Sequence, residues 1–294
     1  MEYIPAKHLL HRSKSTEWFG TDHTMNLYRG CCHGCLYCDS RSACYQNPDF
    51  DRVKAKADAL RLLRDDLARK AKPAFITMGS MSDPYNPFEE ELQLTRHALE
   101  LIDAYQCGVA AATKSDLIVR DVDLYRLIQD HSPVICKLTV TTTDDALAEK
   151  IEPHAPPPGR RLRALEELAK AGIFSGVLLM PVLPYVEDSA ENVLSVVDSA
   201  ARAGARFVYA AFGVTMRDGQ RDYFLNGLDR AFPGMGERYR KRYGSRYYCS
   251  SPKAKELWEL FSSRCRELGL LYEMKHIISA ATRSYEDRQL SFFD

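Results

Sequence analysis

The chain has 294 residues, of which 45% are hydrophobic and 27% charged, which is typical of a folded globular protein and argues against a disordered one. Lys and Arg together number 40, as do Asp and Glu, so the net charge is zero and gives no argument for a nucleic-acid or membrane partner. No apolar run approaches the roughly 18 to 20 residues that span a bilayer, and the N-terminus lacks a signal-peptide pattern. We therefore expect a monomeric, cytoplasmic protein.

Short apolar segments alternate with amphipathic ones along most of the chain. The apolar, strand-like segments are residues 24–28, 74–79, 108–113, 134–142, 176–183 and 206–213. Helix-like segments with apolar residues at three- and four-residue spacing are 53–70, 89–105 and 159–172. Strands that alternate with helices predict right-handed crossovers and a parallel sheet, as an open layer or as a full or partial barrel. In both arrangements the functional residues gather at the carboxyl ends of the strands.

The chain changes character after residue 213. Residues 214–294 read as helical and polar, rich in Arg and Tyr, without a further strand–helix unit. We therefore predict two parts. Residues 1–213 form a barrel with an N-terminal lead-in, and residues 214–294 form a mostly helical extension packed on it.

Cysteines crowd into one loop after the first predicted strand. Cys31, Cys35 and Cys38 form the spacing C-x3-C-x2-C, which Cys32 interrupts. Such crowding indicates metal or redox chemistry rather than structural disulfides. Structural zinc would need a fourth ligand, for which only His33 lies near, and a thioredoxin-like pair would use Cys35 and Cys38 alone. An iron–sulfur cluster held by three thiolates would leave one iron open for another ligand.

This spacing, with an aromatic residue before the last cysteine, resembles the signature of the radical S-adenosylmethionine (SAM) superfamily. Residues 27–31, 79–89, 113–124, 139–153 and 160–173 also resemble its spore photoproduct lyase-like branch, described as DNA repair photolyase-like. The resemblance implies an α/β fold, a partial (β/α)6 TIM-like barrel of the radical SAM type followed by the helical extension.

The same resemblance implies the cofactors. Cys31, Cys35 and Cys38 would hold a 4Fe–4S cluster whose open iron is chelated by SAM. One electron from the reduced cluster would cleave SAM to a 5′-deoxyadenosyl radical, and that radical would abstract hydrogen from a substrate. The enzyme would need an electron donor of the flavodoxin or ferredoxin type.

The loop after the second predicted strand would hold the methionine part of SAM. The resemblance implies contacts from this loop, which contains Ser80 and Ser82, and the side chains of Ser82 and Asp83 suit the methionine ammonium as acceptors. A turn at Asp83-Pro84 that caps the following helix explains Asp83 equally well.

Other segments would supply further cofactor contacts. Lys114 suits the SAM carboxylate and Ser115 can donate to it, although Ser115 also fits a helix N-cap. Thr139 and Thr141 lie two apart on the fourth predicted strand, where they suit the ribose or the carboxylate, or pack as ordinary β-branched residues. The resemblance implies that Tyr37 lies beside the adenine, mainly through its backbone.

The resemblance to the lyase itself is incomplete. The lyase carries, in the loop after its second strand, a cysteine that returns hydrogen to the repaired thymine, and this sequence has Ser80 at about that position. Because a serine O–H bond is too strong to replace a thiol, we do not expect repair of the spore lesion by that mechanism. The remaining cysteines are typical of small buried hydrophobes, and no catalytic residue is assigned: Cys44, Cys107, Cys136, Cys249 and Cys265.

Residues 236–253 mix cationic and aromatic side chains. Arg238, Arg240, Arg242 and Arg246 lie among four tyrosines, a combination found in nucleic-acid grooves. The alternative is a solvated charged surface whose tyrosines pack on the barrel. The substrate is thus a nucleic-acid base or lesion. If residues 236–253, which we call the tail, are only structural, the substrate is a peptide or small metabolite. If the protein is not an enzyme, the alternative is a non-catalytic module that binds an iron–sulfur cluster or zinc.

Overall fold

Within residues 1–290, which the computed structural model describes, strands and helices alternate over most of the chain. The strands are β1 (Glu2–Ile4), β2 (Leu10–Arg12), β3 (His23–Met25), β4 (Tyr28–Arg29), β5 (Lys54–Lys56), β6 (Phe75–Met78), β7 (Gly108–Thr113), β8 (Val134–Thr139), β9 (Ser175–Leu179), β10 (Phe207–Ala210), β11 (Gly213–Thr215) and β12 (Tyr248–Ser250). The helices are α1 (Ala59–Ala68), α2 (Glu89–Leu92), α3 (Leu94–Ala104), α4 (Val122–Gln129), α5 (Asp145–Ile151), α6 (Pro158–Lys170), α7 (Ala190–Arg202), α8 (Gln220–Ala231), α9 (Met235–Tyr243), α10 (Ala254–Glu267) and α11 (Met274–Leu290).

A seven-stranded sheet in the order β10-β9-β8-β7-β6-β3-β2 forms the centre of the molecule. Neighbours from β3 to β10 pair in parallel, and β2 joins the edge in antiparallel orientation. Each parallel strand overlaps one of the six apolar segments read from the sequence, although several are shorter, and the predicted α/β partial barrel is confirmed. Every residue of β8 and β9 is buried, as expected for parallel strands covered on both faces.

Apolar side chains cover both faces of this sheet. The outer core packs α1, α3, α4, α6 and α7 against the strands. The inner face is filled by Phe19, Ile135, Leu178 and Phe207, and α11 adds Ile277 to this group. In the described part of the chain, no helix is long and apolar enough to cross a membrane. The sheet is thus a packed support whose carboxyl edge remains available for a site.

The C-terminal extension is built mainly of α8 to α11, as predicted. The strand β12 was not expected; it pairs antiparallel with β11 and so folds the segment back over the barrel. Tyr239 and Tyr243 are buried in a cluster with Phe224 beneath the cysteine loop. The division of the chain into residues 1–213 and 214–294 stays a prediction. The strand β11, Gly213–Thr215, contains residues from both parts.

Phe261 anchors α10 to the barrel and provides a test of this packing. Its ring is fully buried, 5.8 Å from that of Phe212. Phe261→Ala is expected to lower the free energy of unfolding by about 3–5 kcal/mol, because it deletes a buried ring and leaves a cavity. Urea denaturation measures the change. Lys255→Ala, whose side chain is 93% exposed on the same helix, should stay within about 0.5 kcal/mol. Similar small changes in both variants would contradict this packing.

Candidate active site

A cavity of about 450 Å³ lies at the carboxyl ends of β6, β7 and β8. Its size is in the range of small-molecule and cofactor sites. The predicted site residues that line it are Cys31, Cys35, Tyr37, Cys38, Ser80, Ser82, Asp83, Lys114 and Thr139. Ser115 and Thr141 are not among the described residues that line it. Separate loops of the chain therefore bring most of the predicted residues to one place.

Gly30 fixes the entry of the chain into the cysteine loop. Its φ is +83°, and a Cβ there would lie 2.6 Å from the carbonyl oxygens of Phe50 and Arg52. Only glycine fits this close approach without strain. The next amide, that of Cys31, donates to the Phe50 carbonyl at 2.8 Å. The backbone therefore places the first cysteine before any metal contributes.

The segment after α5 supports the cysteine loop from the side. The Leu36 amide donates to the Ile151 carbonyl at 2.9 Å, and the His154 amide donates to the His33 carbonyl at 3.1 Å. Below the loop, Leu36 and Tyr37 pack in the same apolar cluster as the extension residues noted above. The cysteine loop is thus held by backbone hydrogen bonds on one side and by apolar packing on another.

Burial raises the pKa of the Cys31 thiol to about 12, and it also raises the pKa of Cys35 and of Cys38. Metal binding would therefore have to release thiol protons, because thiolates are the ligands. Over residues 1–285, no three His, Cys, Asp or Glu side chains converge on a point that would hold a single metal ion. A cluster places its thiolates on separate irons, so these cysteines fit it better than a four-ligand zinc site. Cys32 lines a different depression, beside Lys150 and Tyr223.

Glu152 lies at the centre of a buried ionic network that the sequence did not predict. Its carboxylate accepts a hydrogen bond from the Tyr37 hydroxyl, pairs with Arg161 Nη1 at 2.6 Å, and lies 3.8 Å from Lys114 Nζ. Burial alone would raise the pKa of Glu152, but Arg161 and Lys114 more than offset this effect, and the pKa is lowered. Glu152 is therefore an anion, and it connects the cysteine loop to the ends of β7 and β8.

Arg161 extends the same network to the backbone. Its Nη1 donates to the Thr139 carbonyl at 3.0 Å and its Nε to the Pro156 carbonyl at 2.6 Å. The side chain is almost completely buried, at 1% exposure. A buried charge is tolerated when it is paired and hydrogen-bonded in this way. Arg161 thus fixes the point where β8 ends at the cavity.

Asp83 is the second polar centre of the site. Its carboxylate accepts from the Tyr85 amide at 2.9 Å, from the Lys114 amide at 2.9 Å and from the Thr113 hydroxyl at 2.5 Å, and His33 Nδ1 lies 3.5 Å away. The bond to Tyr85 closes an Asx turn, the conformation weighed from the sequence. It does not cap a helix, because α2 begins only at Glu89. These donors use most of the acceptor capacity of the carboxylate.

The glycine before this turn permits a close approach. Gly79 has a φ of +87°, and a Cβ there would lie 2.1 Å from the Ala112 carbonyl oxygen. The Ser82 hydroxyl donates to the Tyr28 carbonyl at 3.0 Å. The exposed Ser80 hydroxyl accepts from the Asn26 amide at 3.3 Å. The loop is therefore attached to β4 and to the residue that follows β3, while its serines line the cavity.

Two of the predicted cofactor-binding residues, Ser115 and Thr141, do not line the cavity. Ser115 accepts from the Leu117 amide at 3.3 Å and so caps the 3-10 helix Asp116–Asp121, the alternative that the sequence offered. The prediction that Thr141 lies on the fourth strand is wrong, because β8 ends at Thr139. The Thr139 carbonyl accepts from Arg161, and the last backbone bond toward β9 is donated by the Val140 amide to the Leu178 carbonyl at 3.1 Å. Cofactor contacts from Ser115 and Thr141 stay predictions.

Lys114 and Tyr248 complete the walls of the cavity. Burial tends to lower the pKa of Lys114, but the charges of Cys35 and Glu152 raise it overall, so the side chain is an ammonium. Tyr248 comes from β12 and is 46% exposed at the cavity. Sequence reasoning placed Tyr248 in the cationic tail and not at the site. No local signal could have shown that β12 folds back.

Replacing Glu152 tests the network. Glu152→Gln keeps the shape but leaves the buried Arg161 without its counter-charge, so we expect a loss of about 3–5 kcal/mol in the free energy of unfolding. Glu149→Gln, on the exposed side of α5, is the matched control and should change stability by less than about 0.5 kcal/mol. Chemical denaturation compares the two. An equally small effect for Glu152→Gln would show that the network does not hold the site.

Comparison with known sequences identifies the family. The model of the Radical SAM superfamily matches residues 25–209. An uncharacterised protein from Mycobacterium tuberculosis is 32% identical over 228 residues, which cover 75% of this chain and 67% of the relative. Another, from Methanocaldococcus jannaschii, is 31% identical over 169 residues, covering 58% of this chain and 63% of the relative.

Comparison with solved structures identifies the fold. Spore photoproduct lyase complexed with dinucleoside spore photoproduct superimposes with a TM-score of 0.67 at 15% identity, covering 92% of this chain and 81% of that one. The radical SAM methyltransferase TsrM from Kitasatospora setae, with tryptophan and a SAM analogue bound, gives a TM-score of 0.52 at 13% identity, covering 83% and 51%. The chain belongs to the radical SAM superfamily and has a fold similar to that of spore photoproduct lyase.

Proposed function

We propose that this protein is a SAM-cleaving radical enzyme that uses the cavity beside the cysteine loop. The observation that carries the proposal is that Cys31, Cys35, Cys38 and Lys114 line one cavity at the carboxyl edge of the sheet. When bound, a 4Fe–4S cluster and SAM supply a 5′-deoxyadenosyl radical that abstracts hydrogen from a substrate. The donor set fits: three thiols from one loop, and an ammonium suited to the SAM carboxylate.

The residues of the chain have distinct roles in this proposal. The three cysteines hold the irons, and Lys114 neutralises the carboxylate of SAM. Asp83 orients the Lys114 backbone through its amide, 2.9 Å away, and thereby sets the position of that ammonium. Tyr37 is held by Glu152 against the same wall. The walls exclude water from a reactive intermediate, which is what a protein contributes to cofactor chemistry of this kind.

The fate of the substrate radical differs from that in the lyase mechanism. Among the described residues, the cysteines that line the cavity are the three proposed cluster ligands. No further thiol is then placed to return hydrogen, and Ser80 cannot substitute for one. We therefore propose hydrogen abstraction without thiol-mediated return, rather than repair of the spore lesion.

A nucleic-acid base or lesion is the first candidate substrate. Arg238, Arg240, Arg242 and Arg246 are all exposed. Tyr247 and Tyr248 are exposed as well, and Tyr248 lies at the cavity, where it would be available to stack on a base.

The structure also gives reasons to keep the alternative substrates. Tyr239 and Tyr243 are buried and unavailable for stacking. The guanidinium of Arg240 lies 3.4 Å from Asp229, and that of Arg238 lies over the Tyr185 ring at 3.8 Å. If the tail serves only to make these contacts within the protein, the substrate is a peptide or small metabolite. We propose a flavodoxin- or ferredoxin-type electron donor in either case.

Anaerobic reconstitution tests the enzyme proposal. The wild-type protein should take up about four irons per chain and release 5′-deoxyadenosine when dithionite and SAM are added. The single variants Cys31→Ser, Cys35→Ser and Cys38→Ser should each lose the cluster absorbance and the product. Cys32→Ser serves as the matched control and should keep both. A colourless, zinc-binding protein that is inert to SAM would instead support a non-catalytic module.

Salt dependence tests nucleic-acid binding. Changing Arg240, Arg242 and Arg246 together to Ser should weaken binding to a single-stranded DNA and lower the slope of log affinity against log salt by about 2, since each phosphate contact contributes about 0.7. Fluorescence anisotropy measures both quantities.

The control for this experiment removes exposed arginines elsewhere. Arg163, Arg202 and Arg266 lie outside the tail, and changing them to Ser should leave the slope unchanged. Equal slopes for the wild-type and tail variants would remove the argument for a nucleic-acid substrate. Stimulation of 5′-deoxyadenosine release by DNA, RNA or neither then distinguishes the substrate classes.

A further inference from the structure

Lys137 is a buried lysine that the proposed function does not use. It lies on β8, has no exposed surface, and lines the same cavity as the cysteines. Its Nζ has no hydrogen-bond partner within the described part of the chain. Buried ammonium groups are normally paired, so a lysine in this state calls for an explanation.

The neighbours of Lys137 offer it no anion. It pairs in register with Ala112 on β7 and with Gly176 on β9, whose side chains are too short to reach it and carry no acceptor. The nearest aromatic group is the Phe19 ring, whose centroid lies 4.3 Å from Nζ. A contact of this kind is weak beside the desolvation of an ion. Burial lowers the pKa of Lys137 to about 7, consistent with an ammonium that lacks a counter-charge.

The position of Lys137 separates it from the proposed cofactor contacts. It lies two residues before Thr139, the last residue of β8, and thus about 6–7 Å deeper in the barrel along the strand. Lys114, at the end of β7, is already suited to the one anionic group of SAM, its carboxylate. The sulfonium of SAM is positive and would be repelled by a second ammonium. An anion at Lys137 must therefore come from another molecule.

We propose that Lys137 binds an oxyanion of the substrate, a phosphate or a carboxylate, at the floor of the cavity. The oxyanion would replace the contact with Phe19 by a charge-assisted hydrogen bond and supply the missing counter-charge. The substrate class is therefore an anionic molecule that enters the barrel with its charged group first. This inference rests on the proposed function, because it takes the cavity to be where both SAM and substrate bind, with the SAM carboxylate at Lys114.

Calorimetry with small anions on the cluster-loaded, SAM-saturated protein tests the proposal. Inorganic phosphate and acetate serve as probes for the two sources of the oxyanion. The wild-type protein should bind at least one of them, and Lys137→Met, which keeps an unbranched side chain one atom shorter and removes the charge, should weaken that affinity at least tenfold. Lys137→Gln should give the same loss if the methionine variant does not fold. Lys255→Met, at the surface of α10, should bind like the wild type.

Four results would overturn the assignment. The first is that neither anion binds the wild type, and the second is that Lys137→Met weakens anion binding by less than tenfold. The third is a tenfold loss of SAM affinity in Lys137→Met, which would assign the lysine to the cofactor carboxylate. The fourth concerns the melting temperature. Without added anion, Lys137→Met should melt at or above the wild-type temperature, because it removes a buried amine that has no hydrogen-bond partner among the described residues. A lower melting temperature for both variants would assign Lys137 to the fold. Since 5′-deoxyadenosine release is measured separately, its failure would count against the proposed function and not against this site.

Discussion

The site depends on one buried carboxylate that must remain charged. Glu152 is surrounded by a phenol, a guanidinium and an ammonium, and each comes from a different part of the chain: Tyr37 from the cysteine loop, Arg161 from α6 and Lys114 from the end of β7. A buried anion is strongly unfavourable unless all its partners are present together. The three segments are therefore fixed relative to one another by a single electrostatic requirement, and the cavity takes its shape from that arrangement.

The features that the sequence predicted are those with a local signal. Cys31, Cys35 and Cys38 are recognisable from their spacing, and the parallel strands from short apolar runs between amphipathic segments. The pair Glu152–Arg161 has no such signal, because each residue looks like any charged residue near a helix until the chain is folded. The end of β8 at Thr139 has no local signal either, because the threonines that follow are as typical of a strand as those within it, and Thr141 was therefore placed on the strand.

The tyrosines of the C-terminal extension occupy two different environments, some buried and some exposed. They read alike in the sequence, yet Tyr239 is buried under the cysteine loop, where its hydroxyl donates to the Pro184 carbonyl at 2.7 Å. Tyr248, nine residues later, faces the cavity from β12. Some tyrosines of residues 236–253 are therefore packed inside the protein, as one of the two interpretations predicted, whereas others remain exposed. Helical periodicity alone could not separate them, because β12 is only three residues long.

The packing of the extension beneath the cysteine loop has a consequence for synthesis of the protein. The cysteines emerge early, but Phe224 and Tyr239, which support the loop, follow roughly 200 residues later. At about 5–20 residues per second, the ribosome needs about 10–40 s to supply that support. During this interval the thiols lack their apolar cover and are open to oxidants and stray metals. Any metal centre that these thiols hold would therefore be complete only after the segment with Phe224 and Tyr239 has been synthesised and has packed against the loop.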